Sequence, residues 1–280
     1  MRDLLEAFRT ADVVLVGEEH DDAVGHRVEL ALVGAAHQAV AEPAGRTLVV
    51  SLEMFERDVQ PVLDEYLAGL ITREHFLKSA RPWPRYETDY APTVEYARAR
   101  GLPVVASNAP RRYVNRVTRL GPDALRDLPP EARSHLAPLP YDPPSTRYRA
   151  QWDSLMTAMP RQGGAGEGAA RHRRARRPEA DPMRFALDAQ ALWDATMAHS
   201  IARALQAHLG ALVVHIAGSF HVERGTGIVE HLRRYRPGTR VLTVVIQPSE
   251  DIDRFEKAKH SGLADFVILT REEGEPESPV

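Results

Sequence analysis

The chain has 280 residues, with 36 Lys and Arg against 39 Asp and Glu, a formal net charge of -3, 43% hydrophobic residues and no cysteine. A chain of this size buries a substantial core, as one large α/β domain or two small ones, and its near-balanced charge excludes the global basic field that draws nucleic acid. The lack of cysteine excludes disulfides, thiolate metal sites, cysteine nucleophiles and lipidation on cysteine.

The N-terminal stretch MRDLLEAFRTADVV is charged throughout and carries no apolar signal segment. No run of about eighteen apolar residues occurs anywhere, so the expectation is a cytoplasmic protein without a membrane span. Residues 2 to 9 read as a short entry helix. From Val13 an apolar, β-branched run stops at Gly17 and a cluster of acids and imidazole, GEEHDD, which predicts a buried first strand. Over residues 23 to 41, Val24, Val28, Leu32, Ala35 and Ala39 space out an amphipathic helix, with His26 read as a surface histidine on its first turns. Glu42, Pro43 and Gly45 break that helix, and TLVVSLEMF supplies a second strand from Leu48 with Glu53 at its carboxyl end.

From Val59 to Arg100 the pattern is helical in pieces, with Thr72 as an N-terminal cap. In WPRYETDYAP, Trp83, Tyr86 and Tyr90 stand at i, i+3 and i+7, the spacing of one helix face. That stripe suits core packing, or a flat apolar wall with a phenol handle for a planar ligand; Pro92 ends or kinks the helix near Tyr90. Pro103 to Ser107 form the third strand, which leads through Asn108 to a helix opening at Pro110, where Arg111 and Arg112 read as an anion clamp or as part of a solvated basic helix. Residues 121 to 146 are Pro-rich turns in a capping segment. The Gly/Arg tract at 161 to 180 has too little apolar surface to fold alone and reads as a flexible loop rather than a nucleic-acid arm. Residues 182 to 209 give the cleanest helical pattern, and ALVVHIAGSFH from Ala211 a fourth strand ending in Gly218 and His221. A helix from Thr226 to Tyr235, a strand from Val241, a last strand from Leu263 and a disordered tail at 271 to 280 complete the chain.

Strands alternating with helices predict a single three-layer α/β domain over residues 1 to 280, with a mainly parallel sheet flanked by helices and a helical cap segment. Ligands of such sheets bind beyond the carboxyl ends of the strands. The G-x-x-H pattern occurs at two of those ends, Gly17 to His20 and Gly218 to His221. Glu18, Glu19, His20, Glu53, Asn108 and His221 are therefore expected to share one crevice, although Glu19 also suits a helix cap and Glu18 a solvent-facing acid. His20, Glu53 and His221 could hold a divalent metal that activates a water, or His20 could act as general base with Glu19, Glu53 and His221 as catalytic partners.

Six stretches in order, GEEHD at Gly17, LEMF at Leu52, WPRYETDYAP at Trp83, NAPRR at Asn108, AQALWDATMA at Ala189 and GSFHVERG at Gly218, resemble the ChaN-like haem-binding proteins of the Tiki, TraB and erythromycin-esterase superfamily. The resemblance spans residues 10 to 250 and implies one α/β domain, a crevice built by both G-x-x-H motifs, and haem as cofactor, held in some members between paired subunits of a homodimer. Haem needs an axial donor, an apolar wall and cations for its propionates. Tyr86, Tyr90 or a histidine, the face of Trp83, and Arg111 or Arg112 with Asn108 would supply them. Family members tied to haem uptake are typically exported lipoproteins, whereas this sequence shows neither leader nor cysteine; the resemblance leaves open intracellular haem handling, or a hydrolase of the Tiki or erythromycin-esterase type.

Overall fold

The computed structural model describes residues 2–41, 45–158 and 184–271. The Gly/Arg tract at 161 to 180 and, from 272 onward, the expected tail lie outside the described residues.

The chain runs through α1 (Arg2–Thr10), β1 (Val13–Glu18), α2 (Ala23–Ala41) and β2 (Leu48–Glu56), then α3 (Gln60–Leu67), α4 (Arg73–Ala80), α5 (Tyr86–Asp89) and α6 (Ala91–Ala99) before β3 (Val104–Asn108). The second half comprises α7 (Arg111–Leu120), α8 (Pro130–Ser134), α9 (Thr146–Ala158), α10 (Ala186–Ala207), β4 (Leu212–Gly218), α11 (Ile228–Tyr235), β5 (Val241–Ser249), α12 (Lys257–His260) and β6 (Phe266–Arg271). The six strands form one parallel sheet in the order β3-β2-β4-β1-β5-β6. No described helix is long and apolar enough to cross a membrane.

Layering follows from strand periodicity, because successive side chains point to opposite faces. Val14 and Val16 pack with residues of α1 to α6, while Val13 and Leu15 pack with α10 and α11. β1 and β4 are buried along their whole length, as their unbroken apolar runs require of strands covered on both faces. Asp22 caps α2 by accepting from the Val24 amide at 3.0 Å, and its other oxygen accepts from Thr270 Oγ1 of β6 at 2.6 Å. Beyond β2, the buried Arg57 guanidinium donates to Leu136 O at 2.7 Å, Thr196 O at 3.0 Å and Ser200 Oγ at 2.6 Å, which fixes α10 across the carboxyl end of the sheet.

Two local expectations change. Trp83, Tyr86 and Tyr90, spaced as for one helix face, do not share a helix: left-handed backbone at Arg85 (φ 60°) separates Trp83 from the four-residue α5, which ends before Tyr90. A full helix, α9, follows the Pro-rich segment where none was expected. Its start is capped by Ser145, whose Oγ accepts from the Tyr148 amide at 3.0 Å, and Tyr148 is buried beneath it.

Candidate functional site

The two G-x-x-H motifs meet because β1 pairs directly with β4, with Gly17 opposite Ala217 and Glu18 opposite Gly218. Each glycine makes room for the other motif. A Cβ on Gly17 would stand 3.0 Å from Ser219 Cα, and one on Gly218 would stand 3.0 Å from His20 Cε1 and 3.2 Å from His20 Nε2. At these approaches a side chain fits only if its neighbour gives way. The Gly218 amide also donates to Glu53 Oε2 at 2.8 Å, and Glu53 Oε1 lies 3.7 Å from His221 Nε2. His20, Glu53 and His221, from three different strand ends, are thus brought to one place over Gly218.

Both histidines are held by acids. His20 Nδ1 donates to Glu18 Oε1 at 2.5 Å, and its side chain is 49% exposed while that of Glu18 is fully buried. Burial disfavours a charge on His20, but the Glu18 hydrogen bond and the charges of Glu18 and Glu53 outweigh it and raise its pKa. His221 Nδ1 donates to Asp194 Oδ1 at 2.7 Å, and the second oxygen of Asp194 accepts from the Tyr148 hydroxyl. Burial again opposes the cation, yet Asp194 and Glu53 raise the pKa of His221 to about 9.

Beneath His20 lies a second, deeper group. His26 is 4% exposed, with Nδ1 3.2 Å from Glu29 Oε1 and 4.0 Å from Glu18 Oε2, and Nε2 3.3 Å from His20 O and 3.6 Å from Asp89 Oδ2. The expected surface histidine is therefore a buried one, because the turn after β1 folds α2 back against the strand end. Glu18, read from sequence as solvent-facing, is 1% exposed, and its Oε2 has no hydrogen-bond partner among the described residues. Burial raises the pKa of Glu18 and pushes that of Glu29 to about 7, while His26 is raised to about 9 by the Glu29 hydrogen bond and three surrounding carboxylates acting against its burial. Among the described residues, Glu18, His26 and Glu29 are the trio of acids and histidines whose donor atoms all lie within 4.8 Å of one another.

The aromatic residues separate. Trp83 meets the His20 ring edge-on at 5.0 Å between centroids, and Tyr90 lies edge-on to His26 at 4.9 Å and to Trp83 at 6.3 Å. The Tyr90 hydroxyl donates to Glu18 Oε1 at 3.4 Å. Tyr86 instead packs in the core against Phe55 and Phe76, and its buried hydroxyl has no hydrogen-bond partner among the described residues. Burial pushes both phenols well above their ordinary pKa. The remaining expected residues stand around the rim. Glu19 is exposed and accepts from Ser219 Oγ at 2.6 Å, which ties the first motif to the second. Asn108 is buried at the end of β3 and accepts from the Ala109 amide at 2.9 Å. Arg111 donates its backbone amide to Glu56 at 3.0 Å, and Arg112 pairs with Asp58 at 2.6 Å.

Sequence reasoning missed Asp194, Tyr148, Glu29, Asp89 and Arg85. Asp194 sits in the AQALWDATMA stretch as a lone acid in an otherwise apolar part of α10, a signal that could have marked it as a partner for a buried histidine. Arg85 donates to His20 O at 2.5 Å and pairs with Asp89 at 2.9 Å. A surface hollow of about 650 Å³ beside His199 and Arg203 shares none of these residues.

The family model described as haem-binding uptake, Tiki superfamily, ChaN matches residues 4–232. No curated protein matches the sequence. The fold is similar to a solved structure of cofacial heme binding to ChaN of Campylobacter jejuni, at a TM-score of 0.63 and 16% identity over 95% of this chain and 89% of that one. The type III effector HopBA1 aligns with a TM-score of 0.49 and 12% identity over 96% and 92% of the two chains. An erythromycin esterase mutant, EreC, in its open conformation aligns at 0.45 and 14% over 94% and 76%.

Proposed function

Since the chain belongs to the haem-binding uptake ChaN family of the Tiki superfamily, we propose that it binds haem at the mouth of this crevice, with His20 Nε2 as the axial donor to iron. The carrying observation is the state of that ring: half exposed, edge-on to Trp83, and committed to Glu18 through Nδ1 alone. A carboxylate on the far nitrogen fixes the tautomer and strengthens the ligating one. Trp83 supplies apolar wall, and Arg85, half exposed and in direct contact with His20, is the cation best placed for a propionate; like Arg112 with Asp58, it is also paired with an acid, Asp89. Tyr86 and Tyr90 are poor donors in this arrangement, because a phenol must ionise to hold ferric iron and burial opposes that in both.

The hydrolase reading would use His20 as general base. Against its burial, the Glu18 hydrogen bond and the charges of Glu18 and Glu53 raise the pKa of His20 and favour its protonated form. His221, raised to about 9, is protonated at neutral pH, so both rings favour the cation over the free base that this reading needs. Titration with hemin tests the haem reading. The wild type is expected to develop a Soret band that saturates at a fixed stoichiometry, His20→Ala to weaken it at least tenfold, and Tyr86→Phe to leave it unchanged. Equal binding by wild type and His20→Ala would reject His20 as the ligand, and no Soret band would reject haem.

A further inference from the structure

The haem reading uses Glu18 only through Oε1, which holds His20, and leaves Glu18 Oε2, His26 and Glu29 without a part. We propose that Glu18, His26 and Glu29 form a buried site for one divalent first-row transition cation, separate from any ion held by His20, Glu53 and His221. One donor atom from each of the three lies within 4.8 Å of the others, and all three residues are buried. His26 Nδ1 is 3.2 Å from Glu29 Oε1 and 4.0 Å from Glu18 Oε2. An ion with nitrogen and oxygen ligands at about 2.0 to 2.2 Å holds neighbouring donors about 3 to 3.6 Å apart, so the His26–Glu29 separation already fits and the rest, all within 4.8 Å, close by small side-chain rotations.

Two further observations point to a ligand. Glu18 is 1% exposed, yet its Oε2, which faces His26, has no hydrogen-bond partner among the described residues. A carboxylate oxygen buried without a donor is costly, and a coordinated cation would remove that cost. The opposite nitrogen of His26 faces His20 O at 3.3 Å and Asp89 Oδ2 at 3.6 Å, and Asp89 is braced by Arg85 at 2.9 Å and Thr88 Oγ1 at 2.8 Å. A ligating histidine whose second nitrogen points at an anchored carboxylate is the arrangement that orients imidazoles on metals. Two carboxylates and a neutral imidazole balance a dication, and a donor set of oxygens and one nitrogen, without sulfur, suits zinc, manganese or ferrous iron.

The test uses the full chain, treated with chelator and free of haem. Equilibrium dialysis against Zn²⁺ followed by elemental analysis is expected to leave one equivalent on the wild type and on His221→Ala, with retention at least tenfold weaker in Glu29→Gln. No zinc on the wild type, or undiminished zinc on a folded Glu29→Gln, overturns the proposal. Should Glu29→Gln fail to fold, pulsed electron paramagnetic resonance of Mn²⁺ on the wild type decides. Coupling to a single imidazole nitrogen is the expected result; coupling to two imidazoles, the signature of the crevice pair, or to none, refutes it.

Discussion

A methyl group at Gly218 would meet the far end of the His20 side chain, whereas one at Gly17 would meet the Ser219 backbone at the same 3.0 Å. The two substitutions should therefore separate function from stability. In Gly218→Ala the flexible imidazole swings aside, so hemin affinity falls severalfold while thermal stability changes little. In Gly17→Ala the backbone cannot yield cheaply, and stability drops by about 1 to 3 kcal/mol. Thermal melts and hemin titrations of both variants check this, and a Gly218→Ala protein that binds hemin like the wild type would contradict the placement of His20. His20, His221 and Glu53 were legible because each follows an apolar run, which glycine ends before the two histidines. Asp194, Glu29 and Asp89 were not, because each stands on a helix, where an acid ordinarily faces solvent and only tertiary packing turns it inward.

At the scale of elements, α9, α10 and the turn after β4 are joined by one chain of hydrogen bonds from Tyr148 through Asp194 to His221. The link has a pH signature. Asp194 and Glu53, acting against burial, raise the pKa of His221 from its ordinary 6.5 to about 9. Between these values the folded chain holds a proton that the unfolded chain has released. The resulting stability is complete below pH 6.5 and is lost as pH rises through 9. Denaturant unfolding from pH 6.5 to 9.5 should show stability falling with a slope of up to about 1.4 kcal/mol per pH unit from this group. Asp194→Asn should flatten that slope, and equal slopes in the two proteins would remove His221 as its source. The six strands were readable as apolar runs, and α2 and α10 from their periodicity. α9 was not, since it is wedged between Pro-rich turns and a Gly/Arg tract, and the aromatic stripe misled because left-handed backbone at Arg81 and Arg85 redirects the rings.

For the whole molecule, sheet order is what makes the site. Two motifs 201 positions apart, at Gly17 and Gly218, share a crevice only because β4 inserts between β1 and β2, and no local pattern announces that insertion. Parallel pairing then aims the ends of β1, β2 and β4 the same way, so that His20, Glu53 and His221 converge while Arg111 and Arg112 follow the edge strand β3. Resonance Raman spectroscopy of the hemin complex asks most directly whether His20 meets the iron. The reduced wild type should show an iron–imidazole stretching band that vanishes in His20→Ala. A band that survives that substitution, or an iron–phenolate signature in the oxidised complex, would contradict it.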